Sequence, residues 1–536
     1  MSALAIAGGR VVAAGGRAEV RRWRDRRTRI VDLRGATVVP GLVDSHAHLD
    51  REGLKSIYPS LARCRSIADI QAVIRRAAAG RKPGEWIVTM PVGAPPFYQD
   101  VPAVLAEKRW PTREDLDRAA PEHPVYVRGI WGYWNRPPVH SIASSRALAL
   151  AGVTRNTIAP KGVEIIKDAA GEPTGVFVEQ TYIPVVELSL MAVAPRFTHE
   201  DRARGLRESM KIYGSTGTTS VIEGHGVADE VMRVYDDTAR RNELTVRAHL
   251  TVSPSWGAAN EGTIESRLAA WTPRIAGRGS GDAFLRLAGL VAETNPTADG
   301  TVRARAMPYT GWAGFSYDAA LPREQLKSVL LAAARADIRI LSMGVGLLDL
   351  YEDVNRVVPI RDRRWVIEHI GILSAEEIGR IRDLGVVLTT HTNRHLYKEG
   401  SLFRAQVGSD AEDTIVPLRR LKEAGVHVAL ATDNVPPSLF LPIWQAVARV
   451  DRSTSRVIAP EQCLSRADAL RAATLEGAYV TFEEDQKGSI EPGKLADLAV
   501  LSDDPMTCLE DRIRDITAEM TIVGGRIVHE RGRPGA

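Results

Sequence analysis

The stretch VVPGLVDSHAHLD, residues 38–50, closes an apolar run with two histidines separated by a single alanine. Side chains on a β-strand alternate between faces, so residues i and i+2 point the same way. His46 and His48 therefore project together from one strand end, with Asp44 on the same face one step earlier. Two imidazoles placed in this way suit a shared metal ion. A pair of hydrogen-bonded histidines ending an ordinary strand is the structural alternative, so the rest of the chain has to decide.

Seven more β-type runs follow. They are TTSVIEGHG (218–226), VRAHLTVSP (246–254), FLRLAGLVAE (284–293), IRILSMGVG (338–346), RRWVIEHIG (363–371), GVVLTTHTN (385–393) and VHVALATDN (426–434). Amphipathic stretches such as PREQLKSVLLAAARAD (322–337) and SAEEIGRIRDLG (374–385) lie between several of them. Eight buried strands alternating with helices predict an α/β fold, a (β/α)8 TIM-type barrel formed by residues 41–49 and 211–484. The interval between the first and second strands is too long for one connection and carries strand-like runs of its own. Residues 50–210 are read as an inserted lid subdomain over the barrel mouth. Short strands with Gly turns at both ends of the chain predict a small β-sandwich-like domain from residues 1–40 and 485–536.

Composition narrows the class. Hydrophobic residues make up 44% and charged residues 25% of the 536 positions, which suits a soluble globular protein. The formal charge of +4 is small for this length. The basic cluster RRWRDRRTR (21–29) reads as a solvated turn, so no nucleic-acid partner is expected. No apolar run approaches the roughly eighteen residues of a membrane span, and none of the marks of a signal peptide stands at the N-terminus. Cys64, Cys463 and Cys508 are widely spaced, in no ligand-like pattern. A reducing, cytoplasmic location without membrane partners is the expectation. A barrel with a β-domain edge also makes a homodimer possible.

In such a barrel the chemistry gathers at the C-terminal strand ends. Strand one ends in His46 and His48, strand two in Glu223 and His225, and strand six in His369. Strand seven ends in His391, with His395 one turn on, and strand eight in Asp433. Each has a structural reading when taken singly; clustered, they point to a divalent metal site. Zinc is the foremost candidate, with iron or manganese also compatible, as one ion or two. The segment VRGIWGYWNRPPVH (127–140) supplies Arg128, Trp131, Tyr133 and His140, and barrel loops add Trp256 and Trp312. Aromatics with one arginine and one histidine suit a small organic substrate, flat or apolar, with a polar handle. Packing of the insert onto the barrel is the alternative for any one of them. The runs DREG (50–53) and LYKEG (396–400) fall in loops beside the ligands and receive no role.

These residues carry a resemblance. VVPGLVDSHAHL, VIEHIG, ATDN and KGSIEPGKLADLAVLSDDP resemble the amidohydrolase superfamily of metal-dependent hydrolases over nearly the whole chain. WPTREDLDRAAPEHPVYVR, SSRALALAGVTRNT and GEPTGVFVE are similar to the branch that includes N-substituted formamide deformylase. The resemblance implies that His46 and His48 are metal ligands. It makes His369 a ligand or catalytic imidazole, and Asp433 a ligand that also shuttles the proton. It implies hydrolysis of a C–N bond in an amide, formamide or cyclic amide by a metal-activated water. A non-hydrolytic relative on the same scaffold, such as a decarboxylase, isomerase or oxygenase component, stays open, and metal identity separates the two.

The chain departs from the family in two places. Relatives carry a fifth-strand histidine in a HAIGD-like run; here the run is RILSMGVGLLDLYED, with Leu341 read at that position. Many binuclear members use a carboxylated lysine on strand four, yet no lysine lies between Lys211 and Lys327. Glu223, His225 and His391 are candidates to fill the gap, or else line the substrate pocket.

Overall fold

The computed structural model describes all residues except 1, 96–97, 99–100, 130–136, 181–183, 257–260, 295–308 and 533–536. Its centre is a (β/α)8 barrel. The strands are β1 (Leu42–Ala47), β2 (Thr218–Glu223), β3 (Arg247–Val252), β4 (Leu285–Thr294), β5 (Ile340–Met343), β6 (Val366–Glu368), β7 (Val387–Thr390) and β8 (Val428–Leu430). They stand in chain order around the sheet, each parallel to the next. Across the seam between β8 and β1, Ser45 Oγ donates to the Leu430 carbonyl at 2.7 Å and Asp433 N donates to the His46 carbonyl at 2.9 Å.

Every strand carries Val, Ile or Leu among its buried residues, as strands covered on both faces do. Ile222, Val291, Leu341, Val366, Val387 and Ala429 meet inside the barrel with Val480 of the helix Leu475–Val480. The outer faces pack on helices whose apolar residues recur at helical spacing. In Arg323–Arg335 these are Leu326, Val329, Leu330, Ala333 and Ala334. In Ala375–Leu384, Ser374 and Glu377 form a capping box and Gly385 ends the helix in the left-handed region.

The register corrects one reading. Leu341 pairs with Val366 and Met343 with Glu368. Leu341 therefore belongs to the inner apolar layer, and the fifth-strand residue at the level of Glu368 is Met343. It shares the interior side with Leu341 because side chains two apart on a strand face the same way.

The insert has its own five-stranded sheet, in the order Ile87–Thr89, Val125–Val127, Val139–Ala143, Pro173–Glu179 and Val163–Lys167. The expected boundary at 210/211 falls inside one continuous helix, His199–Ser215. Its Ala203, Leu206, Met210 and Tyr213 join the main core of the barrel, so the whole helix packs as a barrel element. The insert meets the barrel loops through Leu54, Met90, Tyr98, Phe197, Tyr309, Trp312, Tyr317 and Val435, which share one apolar cluster.

The chain termini form a hairpin, Ala3–Ala7 with Arg10–Gly15, and a four-stranded antiparallel sheet. That sheet runs Arg526–Glu530, Ala518–Val523, Leu498–Leu501, Val38–Pro40. Arg247 of β3 ties it to the barrel: Nε and Nη2 donate to the two Asp497 carboxylate oxygens at 2.7 and 2.9 Å. Asp497 also accepts from Gly524 N at 2.8 Å, and Phe284 lies under the guanidinium. No helix among the described residues is long and apolar enough to cross a membrane. Removing one partner of a buried, bidentate pair strands the other charge. Asp497→Ala should therefore lower unfolding stability by about 3–5 kcal/mol, read as a shift of the urea midpoint; a shift under about 1 kcal/mol would contradict the role given to the pair.

Candidate metal centre

The ends of β1 and β8 are laced together by buried polar groups. Asp44 accepts from Thr432 N at 3.0 Å and from Thr432 Oγ1 at 2.5 Å. His48 N donates to Asn434 Oδ1 at 2.9 Å, and Asn434 Nδ2 returns the bond to the His48 carbonyl at 2.8 Å. His48 Nε2 lies 2.8 Å from Asp433 Oδ1. The seam thus sets the first-strand histidines against the eighth-strand aspartate.

His46 is oriented by a buried carboxylate. Its Nδ1 faces Glu368 Oε1 at 3.0 Å, with both side chains wholly buried. A carboxylate accepts only, so Nδ1 carries the proton and Nε2 presents its lone pair, the orientation seen in carboxylate–histidine–metal arrangements. Nε2 has no hydrogen-bond partner among the described residues and lies 3.9 Å from Asp433 Oδ1. A Cβ on Gly224 would stand 2.1 Å from Nε2, so the backbone after β2 leaves room for this ring only because residue 224 is glycine.

Other imidazoles surround it. Ring centroids of His48, His225, His369 and His391 lie 5.1, 5.2, 4.6 and 4.8 Å from that of His46. Ligand atoms of His46, His369 and His391 all fall within 4.8 Å of one another, as do those of His46, His48 and His225. Both ring nitrogens of His391 and Oδ2 of Asp433 are buried without hydrogen-bond partners among the described residues. His225, His369 and Asp433 adopt left-handed backbone, φ 60°, 61° and 50°, which side-chain-bearing residues rarely do. Such strain, of order 1–3 kcal/mol each, gathers at functional sites. Converging nitrogens and one carboxylate oxygen fit a borderline divalent ion such as zinc.

Burial sets the charge states. It pushes His369, His391 and His395 well below the ordinary histidine range, and His48 likewise, with the Arg51 guanidinium adding to the effect. Neutral rings are what metal ligation needs. Burial also opposes the charged form of His46, but Glu368, Asp433 and Asp44 outweigh it and raise that pKa. Burial favours protonated Asp433, yet the His48 hydrogen bond and the nearby imidazoles hold it well below the carboxylate range. Asp44 is pushed up to about 7 by burial.

The remaining expected residues divide. Glu223 accepts from Tyr235 OH and from Asp50 N, and burial with the neighbouring Asp50 raises its pKa well above normal. His395 stacks on Phe403 beside His391. Arg128 is buried against Glu187 at 2.7 Å and Tyr309 OH at 3.1 Å. Trp312 stands in the apolar cluster between insert and barrel and donates to the Arg51 carbonyl at 3.3 Å. Two placements differ from expectation. His140 stacks on Trp110 within the insert, at 4.4 Å, and Trp256 lies in the barrel core against Trp271; both are packing residues. Trp131 and Tyr133 lie outside the described residues. The DREG run is not a loop: Leu49–Glu52 is a buried helical turn. Glu368 and Arg51 went unrecognised in the sequence. Strand parity from Val366 pointed to Glu368, while Arg51 has only its spacing from His48 to mark it.

The sequence model of the amidohydrolase family matches residues 29–529, and the chain belongs to that family. The chain is 27% identical to N-substituted formamide deformylase of Arthrobacter pascens, covering 99% of this chain and 95% of that protein. It is 24% identical to the putative amidohydrolase YtcJ of Bacillus subtilis, over 94% and 91% of the two chains. The crystal structure of an uncharacterized metal-dependent hydrolase from Pyrococcus horikoshii OT3 superposes with a TM-score of 0.66 at 22% identity, covering 95% of each chain.

Losing the carboxylate behind a metal-ligating histidine typically weakens metal binding by about 10–100-fold. Glu368→Gln should show that loss in a competition titration with a chromogenic chelator; unchanged affinity would remove Glu368 from the centre.

Proposed function

We propose that the protein is a metal-dependent hydrolase that cleaves a C–N bond in an amide, formamide or cyclic amide of a small organic substrate. The observation that carries this reading is that ligand atoms of His46 lie within 4.8 Å of those of His369 and His391 on one side and of His48 and His225 on the other, beside Asp433. Family membership and the match to a formamide deformylase along nearly its whole length support it.

His46, His391 and Asp433 would hold the ion, with His48, His225 and His369 as further donors. Zinc suits these ligand types, and the three ligands His46, His391 and Asp433 leave the fourth position of one catalytic ion open for water. When bound, such an ion supplies Lewis acidity, acidifying a water and polarising a carbonyl oxygen. The chain's own residues supply the rest. Glu368 keeps the His46 lone pair pointed inward. Asp433 stays ionised, and its Oδ2, buried without a hydrogen-bond partner among the described residues, takes the proton of the attacking water. The same oxygen then returns that proton to the departing nitrogen, which leaves as an amine. Phe315, 4.9 Å from His225 between ring centroids, with Trp312 and Tyr317, gives the substrate an apolar wall and excludes water from the reacting bond.

Two measurements check the reading. Elemental analysis of purified protein should give one equivalent of zinc per chain; two equivalents would contradict the single ion, and none the whole reading. A panel of N-substituted formamides, acyl amides and cyclic amides should show amine release that a chelator abolishes and added metal restores. Against whichever substrate is turned over, Asp433→Asn should lower kcat by about 10²–10⁴-fold, the usual worth of a general acid–base. A loss under tenfold would take the proton-transfer role from Asp433.

A further inference from the structure

Arg51 occupies the side of His48 on which a metal-bound histidine keeps its second N–H. Its Nη2 lies 2.7 Å from His48 Nδ1. A guanidinium only donates and does not lose its proton in proteins. His48 Nδ1 is therefore the acceptor, and the ring's one proton sits on Nε2. That assignment agrees with the other contact, Nε2 to Asp433 Oδ1 at 2.8 Å, where a carboxylate can only accept. Both nitrogens of this imidazole are thus spoken for, and no lone pair points to the centre. His46, two residues earlier on the same strand end, has the opposite tautomer, because its Nδ1 meets Glu368 rather than a cation.

The local chain explains the placement. Leu49–Glu52 forms a helical turn directly after His48, and i,i+3 spacing brings the Arg51 side chain alongside the ring. Arg51 is 3% exposed. The Trp312 indole donates to its carbonyl, Asp50 Oδ1 lies 3.5 Å from its Nε, and the Phe315 ring centre is 5.6 Å from its Cζ. A buried cation is thus built in beside a ligand that the HxH pattern assigns to a cation of higher charge.

We propose that Arg51 is an internal competitor of the metal ion for His48. The Arg51–His48 contact and ligation through His48 Nε2 exclude one another. Ligation requires the guanidinium to leave Nδ1; the ring then gives up its Nε2 proton to solvent by way of Asp433 and takes one at Nδ1, with no net change in protons. Charge repulsion between a guanidinium and a divalent ion acts in the same direction. Arg51 thereby sets the affinity of the centre. This inference rests on the metal-centre reading above.

The test is a titration of chelator-treated full-length protein with Co²⁺, followed by its visible absorption, and with Zn²⁺ against a competing chelator. Arg51→Met should bind both ions about tenfold or more tightly than wild type, at equal stoichiometry. Arg51→Lys, which keeps the charge, should stay nearer wild type. Equal or weaker affinity in Arg51→Met overturns the proposal, whereas wild-type protein that takes up neither ion overturns the metal-centre reading instead. Histidine ¹⁵N NMR on wild-type protein reads the same point without relying on a variant's folding. The ring whose signal vanishes in His48→Gln should be protonated at Nε2 before Zn²⁺ is added and at Nδ1 afterwards. A ring that keeps one tautomer throughout overturns the proposal.

Discussion

The centre exists because β1 closes on β8. Residues nearly 400 positions apart in sequence are joined there by Asp44 with Thr432, Ser45 with the Leu430 carbonyl, Asp433 N with the His46 carbonyl, and the reciprocal pair of His48 and Asn434. Every side chain in this set is buried, so each bond, once made, is costly to leave unmade. The histidines that face the mouth, the aspartate between them and the left-handed turn at Asp433 all take their positions from that seam. The barrel supplies rigidity and the seam supplies the convergence.

Charge balance is the second constraint. The centre buries Asp44, Asp433, Glu223, Asp50 and Glu368 with a set of imidazoles, an arrangement that water-free surroundings tolerate only when charges are paired or suppressed. Suppression is visible in the raised pKa values of Asp44 and Glu223 and in the neutral rings of His369, His391 and His395. Pairing is visible at Asp433, which keeps its negative charge because His48 donates to it. Arg51 and Arg394 bring positive charge to the edge, each approaching an Nδ1 of the cluster, at His48 and His369.

Much of this was legible in the sequence because burial leaves a strong mark. Seven of the eight barrel strands fall within the runs read as strands and β4 passes its run by one residue, at Thr294, since strands covered on both faces carry many apolar residues. The site histidines stood out because they follow those runs directly. What escaped depended on register and on three-dimensional neighbours. Counting residues put Leu341 at the fifth-strand position, whereas pairing with β6 puts Met343 there. His369 drew attention in VIEHIG, yet alternation from the inward-facing Val366 sends Glu368 to the interior, and His369 reaches the cluster only through its left-handed backbone. Trp256 and His140 have the chemistry of pocket residues, and linear order does not separate a pocket from a core. The helix His199–Ser215 crossed an expected boundary because its apolar face matches the barrel, a property of packing and not of composition.

The central claim is that one ion sits where His46 Nε2 points. Anomalous diffraction from crystals soaked in Zn²⁺, recorded above and below the zinc edge, tests it most directly. The account predicts a single strong peak about 2.0–2.1 Å from His46 Nε2, the usual zinc–imidazole distance. A peak elsewhere, or density confined to surface carboxylates with none at His46, would contradict it.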